Sequence, residues 1–406
     1  MHDDDNHALH RDLVALEAEW RARGYFESAL HLVLLDLLLI GVFTLASWRM
    51  SGQRPVLGGA VLGLAMHQMM SHAHTYGHNA GVWRQELWTY PTLHKVVGYA
   101  MTNVFIGIDV VSWQHKHTMH HRHTMSDADE QIRNGASYFP LFSSSPDSLT
   151  TRIAERPLEG LLLRWQEFTW LPVLLLAEKP HLWKEQWQDI RKLADKSIGV
   201  DDANLRRACL VAHWALLWWF ACRAGCATCQ SRQSRWTARG RWFAAVSVVF
   251  GLIGPQFLFS HYTTGREASG VADDKLAQVH HTINYRCRSP IERWLHVGLA
   301  EQIEHHLMPK VPAEWLPDLS ADVRSLCHNH SLPYRSVPIE HLLWEQTKLL
   351  ASTSYERRGR GEWDAADQAV AGVILLMLLS VSFAKSRRLR EWMQPHLRSK
   401  THIKSA

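Results

Sequence analysis

Histidines recur in three stretches of the chain, at spacings that place their side chains on one face of a helix. The stretches carry Gln302, His305 and His306, then His117, His120 and His121, and finally His74 and His78. Imidazole nitrogens suit iron, zinc and copper, and no single stretch supplies enough ligands for two metal ions. We therefore predict that the three stretches meet in one histidine-rich metal centre, which a metal assay of the purified protein would test.

The number of candidate ligands argues against zinc. A zinc site takes about four ligands and a catalytic one about three from the protein, whereas seven histidines and Gln302 are enough for two iron ions. Metal-bound imidazoles need acceptors for their second ring nitrogen. The nearby acidic residues are expected to be such acceptors, with surface salt bridges as the alternative: Glu301, Glu304, Asp127, Asp129 and Glu130.

The composition indicates a membrane protein with much of its mass outside the bilayer. Several long apolar runs are nearly free of charge, yet the mean hydropathy is only -0.20. The net charge of +5 is mild, and no run of Lys and Arg is interleaved with aromatic residues, so nucleic acid is excluded as a partner. The acidic start lacks the positive region of a signal peptide, so we expect the first apolar run to be a retained membrane helix.

Four apolar runs are predicted to cross the membrane as two hairpins, 28–48 with 56–70 and 208–222 with 242–260. An even number of crossings between the histidine stretches keeps all three stretches on the same side of the membrane. Asp36 in the first run is then expected to face the protein interior. The runs 96–111 and 158–177 are interpreted as interfacial. The basic segment 223–241 conflicts with this arrangement, because the positive-inside rule would place it in the cytoplasm.

The sequence around the histidines resembles the membrane fatty-acyl desaturases. The shared pattern is His-x-x-x-His, His-x-x-His-His and Gln-x-x-His-His, and the glutamine of the third stretch resembles the front-end subgroup, of Δ4, Δ5, Δ6 or Δ8 type. Similar segments also surround the stretches, at 113–121, 127–132, 278–284, 302–309 and 323–334. The resemblance covers about residues 20–350.

This resemblance implies an all-α integral membrane protein, with two transmembrane hairpins and interfacial helices under a cytosolic helical cap that holds a non-haem di-iron site. The iron ligands would be the seven histidines, with Gln302 where other desaturases carry histidine. Relatives also use a histidine upstream of the third stretch, here His280 or His281, of which we favour His281. We expect residues 1–27 to be a cytosolic segment, 28–350 the desaturase domain, and 351–406 an extension with one more apolar helix.

The implied activity is an oxygen-dependent desaturase that inserts a cis double bond into a fatty-acyl chain, in an acyl-lipid or acyl-CoA, on the carboxyl side of an existing double bond. Three alternatives stay open: a sphingolipid long-chain-base desaturase, a lipid hydroxylase, and a catalytically silent membrane metal-binding protein. The chain lacks the His-Pro-Gly-Gly motif of a fused cytochrome b5 domain. We therefore expect a separate electron donor, cytochrome b5 with its reductase or ferredoxin. The expected location is the endoplasmic reticulum membrane, with a plastid or bacterial inner membrane as alternatives.

Overall fold

The computed structural model describes residues 2–126, 128–129, 142–143, 146–155, 160, 162–195, 202–226, 231–262 and 274–360. These parts of the chain are almost entirely helical. The helices are α1 (His2–Ala22), α2 (Leu30–Ser51), α3 (Pro55–Gly77), α4 (Pro91–Tyr99), α5 (Val110–Arg122), α6 (Pro146–Glu155), α7 (Gln166–Asp195), α8 (Ala203–Arg223), α9 (Arg232–Phe250), α10 (Ile253–Tyr262), α11 (Lys275–His280), α12 (Pro290–Leu295), α13 (Gln302–Leu307), α14 (Leu316–Asn329) and α15 (Ile339–Gly359). Short 3₁₀ turns occupy Gly81–Trp83 and Gln85–Leu87. Strands β1 (Asn284–Tyr285) and β2 (Ser336–Val337) pair in parallel.

Two segments are long and apolar enough to cross a membrane, α2 and the α9–α10 segment Arg232–His261. A third candidate is the pair Pro91–Ile106 and Val110–Arg122, which meet at a 90° bend. The first of these includes α4 and a π-helix at Ala100–Ile106. The helices that the sequence predicted as the other two crossings, α3 and α8, pack beside the candidate spans.

The first hairpin packs closely on α9 because two glycines of α3 lie at the contact. Gly59 and Gly63 are four residues apart, the spacing that lets membrane helices approach backbone to backbone. A Cβ atom added to Gly63 would lie 2.7 Å from the carbonyl oxygen of Val246, and one added to Gly59 would collide with the carbonyl of Trp242. These two positions therefore set the distance between α3 and α9.

The turns of the two hairpins meet at the end of the bundle opposite the histidines. The backbone N–H of Gly225 donates to the carbonyl of Ser51 (3.1 Å), and the Trp242 indole donates to the Ser51 hydroxyl (2.9 Å). The described part of the basic segment 223–241 thus lies away from the histidine stretches, as the hairpin prediction required.

A helical cap covers the histidine end of the bundle. The N-terminal helix α1 buries Leu13 and Trp20 against α13 and α14 in one apolar cluster. The Trp20 indole also donates to Asp322 (2.9 Å).

Asp36 links the first hairpin to the cap. One of its carboxylate oxygens lies 2.9 Å from Nε2 of His72 on α3, and the other accepts from the indole of Trp294 (2.8 Å). Asp36 therefore faces protein, as predicted. Helix α15 continues through residue 350, where we expected the desaturase domain to end, and the rest of the extension, with its expected apolar helix, lies outside the described residues.

Candidate metal centre

The first histidine stretch lies at the end of α3. Pro55 occupies the first turn, where its missing N–H costs nothing, and the helix continues to Gly77, beyond the apolar run 56–70. His74 lies in the last turn, and His78 follows directly as the residue that ends the helix. The two rings are therefore one turn apart, with centroids 4.8 Å from each other.

The second stretch lies on α5, whose first residues are fixed by a buried carboxylate. Asp109 caps the helix by accepting from the backbone N–H of Ser112 (3.0 Å). The same carboxylate accepts from Arg206 Nε and Asn103 Nδ2, each at 2.9 Å. Because Asp109 and Arg206 are fully buried, neither can exchange its partner for water, and the start of α5 is held in one position.

The third stretch forms the short helix α13, which is held from its outer face. Asn284 on β1 accepts from the backbone N–H of Ile303 (2.8 Å) and donates to Glu304 (2.7 Å). The hydroxyl of Tyr334 also donates to Glu304, at 2.6 Å. Glu304 therefore anchors the helix through Asn284 and Tyr334. Glu301, another expected acceptor, pairs instead with Arg293 (3.0 Å).

The three stretches converge, as predicted, and their rings form two adjacent groups. Within each group, one nitrogen from every residue lies within 4.8 Å of the others. The first group is His74, His78, His117 and His305, and the second is His120, His261 and His306. All seven are buried except His78, which is half-buried. The fold thus collects histidines from distant parts of the chain into two sites suited to one metal ion each.

His121 lies between the two groups. Its ring centroid is 4.7 Å from that of His117 in the first group and 4.3 Å from that of His306 in the second. Gln302 is buried on the same helix as His305 and His306. Its amide nitrogen has no hydrogen-bond partner within the described part of the chain.

His261 is the one member of these groups that sequence reasoning missed. Its Nδ1 donates to the backbone carbonyl of His281 (2.9 Å), so Nε2, on the other side of the ring, is the nitrogen that it can offer to a metal ion. His281, the favoured additional ligand, is not a member of either group. A usable signal existed, because His261 directly follows the apolar run 242–260, just as the first stretch follows the run 56–70.

One predicted acceptor does orient an imidazole. The Asp129 carboxylate is fully buried and accepts from Nδ1 of His120 and from the backbone N–H of Met125, each at 2.9 Å. With its Nδ1 proton fixed in this way, His120 keeps its Nε2 lone pair for a metal. Asp127 and Glu130 lie outside the described residues.

The donor set fits metal ions. Among the described residues, Nε2 of His78, His120, His305 and His306 is buried without a hydrogen-bond partner. Leaving such a nitrogen without a partner destabilises the folded protein by about 1–3 kcal/mol, and a bound metal ion would remove this penalty. Burial lowers the pKa of the His305 and His306 imidazoles well below their usual range, and the neighbouring histidines lower it further. Both rings are therefore neutral, which is the form that binds a metal.

Sequence comparisons agree with this geometry. Residues 53–338 match the family described as Fatty acid desaturase. The chain is similar to Delta(8)-fatty-acid desaturase 1 of Arabidopsis thaliana, with 26% identity in an alignment of 384 positions that covers 90% of this chain and 78% of the plant protein. The Delta(8)-fatty-acid desaturase of Euglena gracilis is 27% identical over 76% of this chain and 68% of its own length. An acyl-lipid (8-3)-desaturase of Thraustochytrium sp is 25% identical over 82% of this chain and 71% of its own. The family match spans more than half of the sequence and includes all three histidine stretches, so the chain belongs to the fatty acid desaturase family and is a membrane-bound oxidoreductase.

Proposed function

We propose that this protein is an oxygen-dependent desaturase that introduces a cis double bond into a fatty-acyl chain, in an acyl-lipid or acyl-CoA, on the carboxyl side of an existing double bond. The observation that carries the proposal is the pair of adjacent buried histidine groups, in a chain of the desaturase family. The relatives named Delta(8)-fatty-acid and acyl-lipid (8-3)-desaturases support the front-end position of the new bond.

The two groups would each hold one iron ion. His74, His78, His117 and His305 are the proposed ligands of the first ion, and His120, His261 and His306 those of the second. His121 lies close enough to both groups to complete either site, and Gln302 is near them on α13. This assignment replaces His281 with His261.

Iron suits the reaction because an unactivated C–H bond has no acidity that a base could use. When bound, iron with nitrogen ligands and open positions supplies dioxygen activation. In the overall reaction, –CH₂–CH₂– loses two hydrogen atoms and becomes –CH=CH–, while dioxygen takes up these atoms, two electrons and two further protons to give two molecules of water.

The protein's own groups orient the ligands and keep water away. Asp129 and the His281 carbonyl each fix an Nδ1 proton, on His120 and His261 respectively. Phe257 packs against His117 and His120, with ring centroids 6.1 and 5.5 Å away, and gives this side of the centre an apolar wall. A dry, oriented site protects a reactive oxidant from side reactions.

The two electrons per turnover require a reductant. We propose a separate carrier, cytochrome b5 with its reductase or a ferredoxin, and an endoplasmic reticulum membrane as the location, with a plastid or bacterial inner membrane as alternatives. Reconstitution of the purified protein with each carrier, followed by dioxygen uptake in the presence of substrate, would identify the donor.

The decisive experiment is a fatty-acid profile of a desaturase-poor host that expresses the chain and is fed long-chain polyunsaturated fatty acids. His305→Ala is the matched control, because it removes one imidazole from the first group. We expect a new double bond on the carboxyl side of an existing one, present with the wild type and absent with the variant. Identical profiles from an iron-loaded wild type and the variant, with a reductant supplied, would contradict the proposal; sphingoid bases would then be the next substrates.

A further inference from the structure

The end of the bundle opposite the histidines is strongly basic. Seven arginines lie on the hairpin ends and on the first half of α9, and all are exposed except the half-buried Arg239: Arg49, Arg54, Arg223, Arg232, Arg235, Arg239 and Arg241. We call this set the arginine end. No Asp or Glu occurs in residues 37–85 or 203–266, which include every residue of the set. The charge is therefore not balanced by acidic neighbours in sequence.

Tryptophans lie among the arginines of the arginine end, as is typical of a membrane–water interface. Trp48 on α2 stacks on Trp219 of α8, with ring centroids 3.9 Å apart. The guanidinium of Arg223 lies 5.2 Å from the ring centroid of Trp48, and that of Arg239 lies 5.0 Å from the centroid of Trp236. Tryptophan is enriched at the headgroup level of membrane proteins, where its ring is buried and its N–H stays near water. Arginines at the same depth would meet lipid headgroups.

An open groove of about 490 Å³ lies within the arginine end, between the first residues of α3 and α9. Pro55 and Val56 form one side, next to Arg54 in sequence. The other side is polar, and its lining includes Ser231, Ser234, Thr237 and Arg241. The Ser234 and Thr237 hydroxyls donate to the backbone carbonyls of Ser231 (2.8 Å) and Gln233 (3.1 Å), so the planar guanidinium of Arg241 is the group that would bind phosphate oxygens. The groove thus combines a phosphate-binding guanidinium with an apolar wall.

We propose that the arginine end binds anionic phospholipid headgroups of the leaflet that it faces, with one headgroup phosphate in the groove beside Arg241. Charge complementarity favours an anionic partner, and the tryptophan layer favours a lipid over a water-borne one. Such binding would hold the two hairpin turns at a fixed depth, because the groove is lined by the first residues of α3 and α9, the helices that follow the two turns. This role is independent of the desaturase reaction.

The test uses the purified 406-residue chain in neutral detergent with fluorescent phosphatidylglycerol, and fluorescent phosphatidylcholine as the neutral probe. Binding is followed by fluorescence anisotropy at low and high salt. An arginine near an anionic surface strengthens binding about five-fold, so Arg54→Gln with Arg241→Gln should weaken phosphatidylglycerol binding about 25-fold. Arg11→Gln, an exposed arginine on α1 of the cap, is the control and should bind like the wild type. The double lysine variant at 54 and 241 keeps both charges and should retain most of the binding.

Preferential, salt-sensitive binding of phosphatidylglycerol that the double glutamine variant loses would support the proposal, provided that both variants keep the wild-type melting temperature. Equal binding of the two lipids would overturn it, and so would an unchanged affinity in the double glutamine variant. Glycerol phosphate and poly-glutamate serve as competitors. If either displaces the probe as well as unlabelled phosphatidylglycerol does, the partner is a free phosphate or an acidic protein segment and the lipid assignment is wrong.

Discussion

Replacing His261 by alanine provides the sharpest test of the proposed second metal site. The second group has only His120, His261 and His306, so the change removes one of three imidazoles and leaves the first group complete. Binding of a four-ligand structural zinc site contributes about 10–16 kcal/mol, so one ligand contributes roughly 3 kcal/mol, or roughly 100-fold in affinity. We expect the metal content to fall from two ions per chain toward one under mild chelation.

His281→Ala is the matched control. The contact that His281 makes with His261 runs through its backbone carbonyl, which alanine keeps. Elemental analysis of both purified variants after stepwise exposure to a chelator would give the stoichiometry, and thermal unfolding would confirm that both are folded. If His281→Ala loses one metal ion and His261→Ala retains two, the assignment of the second group is wrong.

Two further predictions concern groups that hold the site and the bundle. Asp129→Asn keeps the size of the side chain but removes the negative charge that holds the Nδ1 proton of His120. We therefore expect the metal affinity of the second group to fall about 10–100-fold, as measured by chelator competition. An unchanged affinity would refute this role of Asp129. Gly63→Ala would place a Cβ atom 2.7 Å from the carbonyl oxygen of Val246. Overpacking of this kind lowers the free energy of unfolding by about 1–3 kcal/mol, so the unfolding temperature in detergent should drop. Gly240→Ala, which meets nothing within 4 Å, should not lower it, and equal destabilisation by the two changes would show that helix contact is not the cause.

Much of the site followed from local pattern. Two histidines at i and i+4 share a helix face whatever the fold around them, so the three stretches were recognisable as candidate ligand sets. Asp36 was predicted to face protein because a carboxylate in lipid is expensive, and it contacts His72 and Trp294. Asp129 was correctly expected to orient an imidazole, since an acidic residue that follows a helix closely in sequence can reach back to a ring near the end of that helix, here His120 on α5.

Other roles depended on contacts between residues far apart in the chain. Glu304 is adjacent to His305, yet its partners are Asn284 and Tyr334, because α13 turns that side chain toward β1. No sequence spacing links these three residues, and they come into contact only in the folded cap.

The sequence by itself determined the residue types and the local faces: which helices carry imidazoles, which runs are apolar, and where the charge of the chain is concentrated. Those properties are local, because the face of a helix and the length of an apolar run depend only on residues that are close together in the chain. Only the tertiary structure decided that six of the seven predicted histidines fall into two groups, with His121 between them. It also decided that His261 completes the second group, while His281 only accepts a hydrogen bond from it through a backbone carbonyl. A lone histidine at the end of an apolar helix has no pattern of its own. Its role is set by the packing of α10 against α5 and α13, which brings the His261 ring to the ring of His120, 141 residues earlier in the chain, and to that of His306.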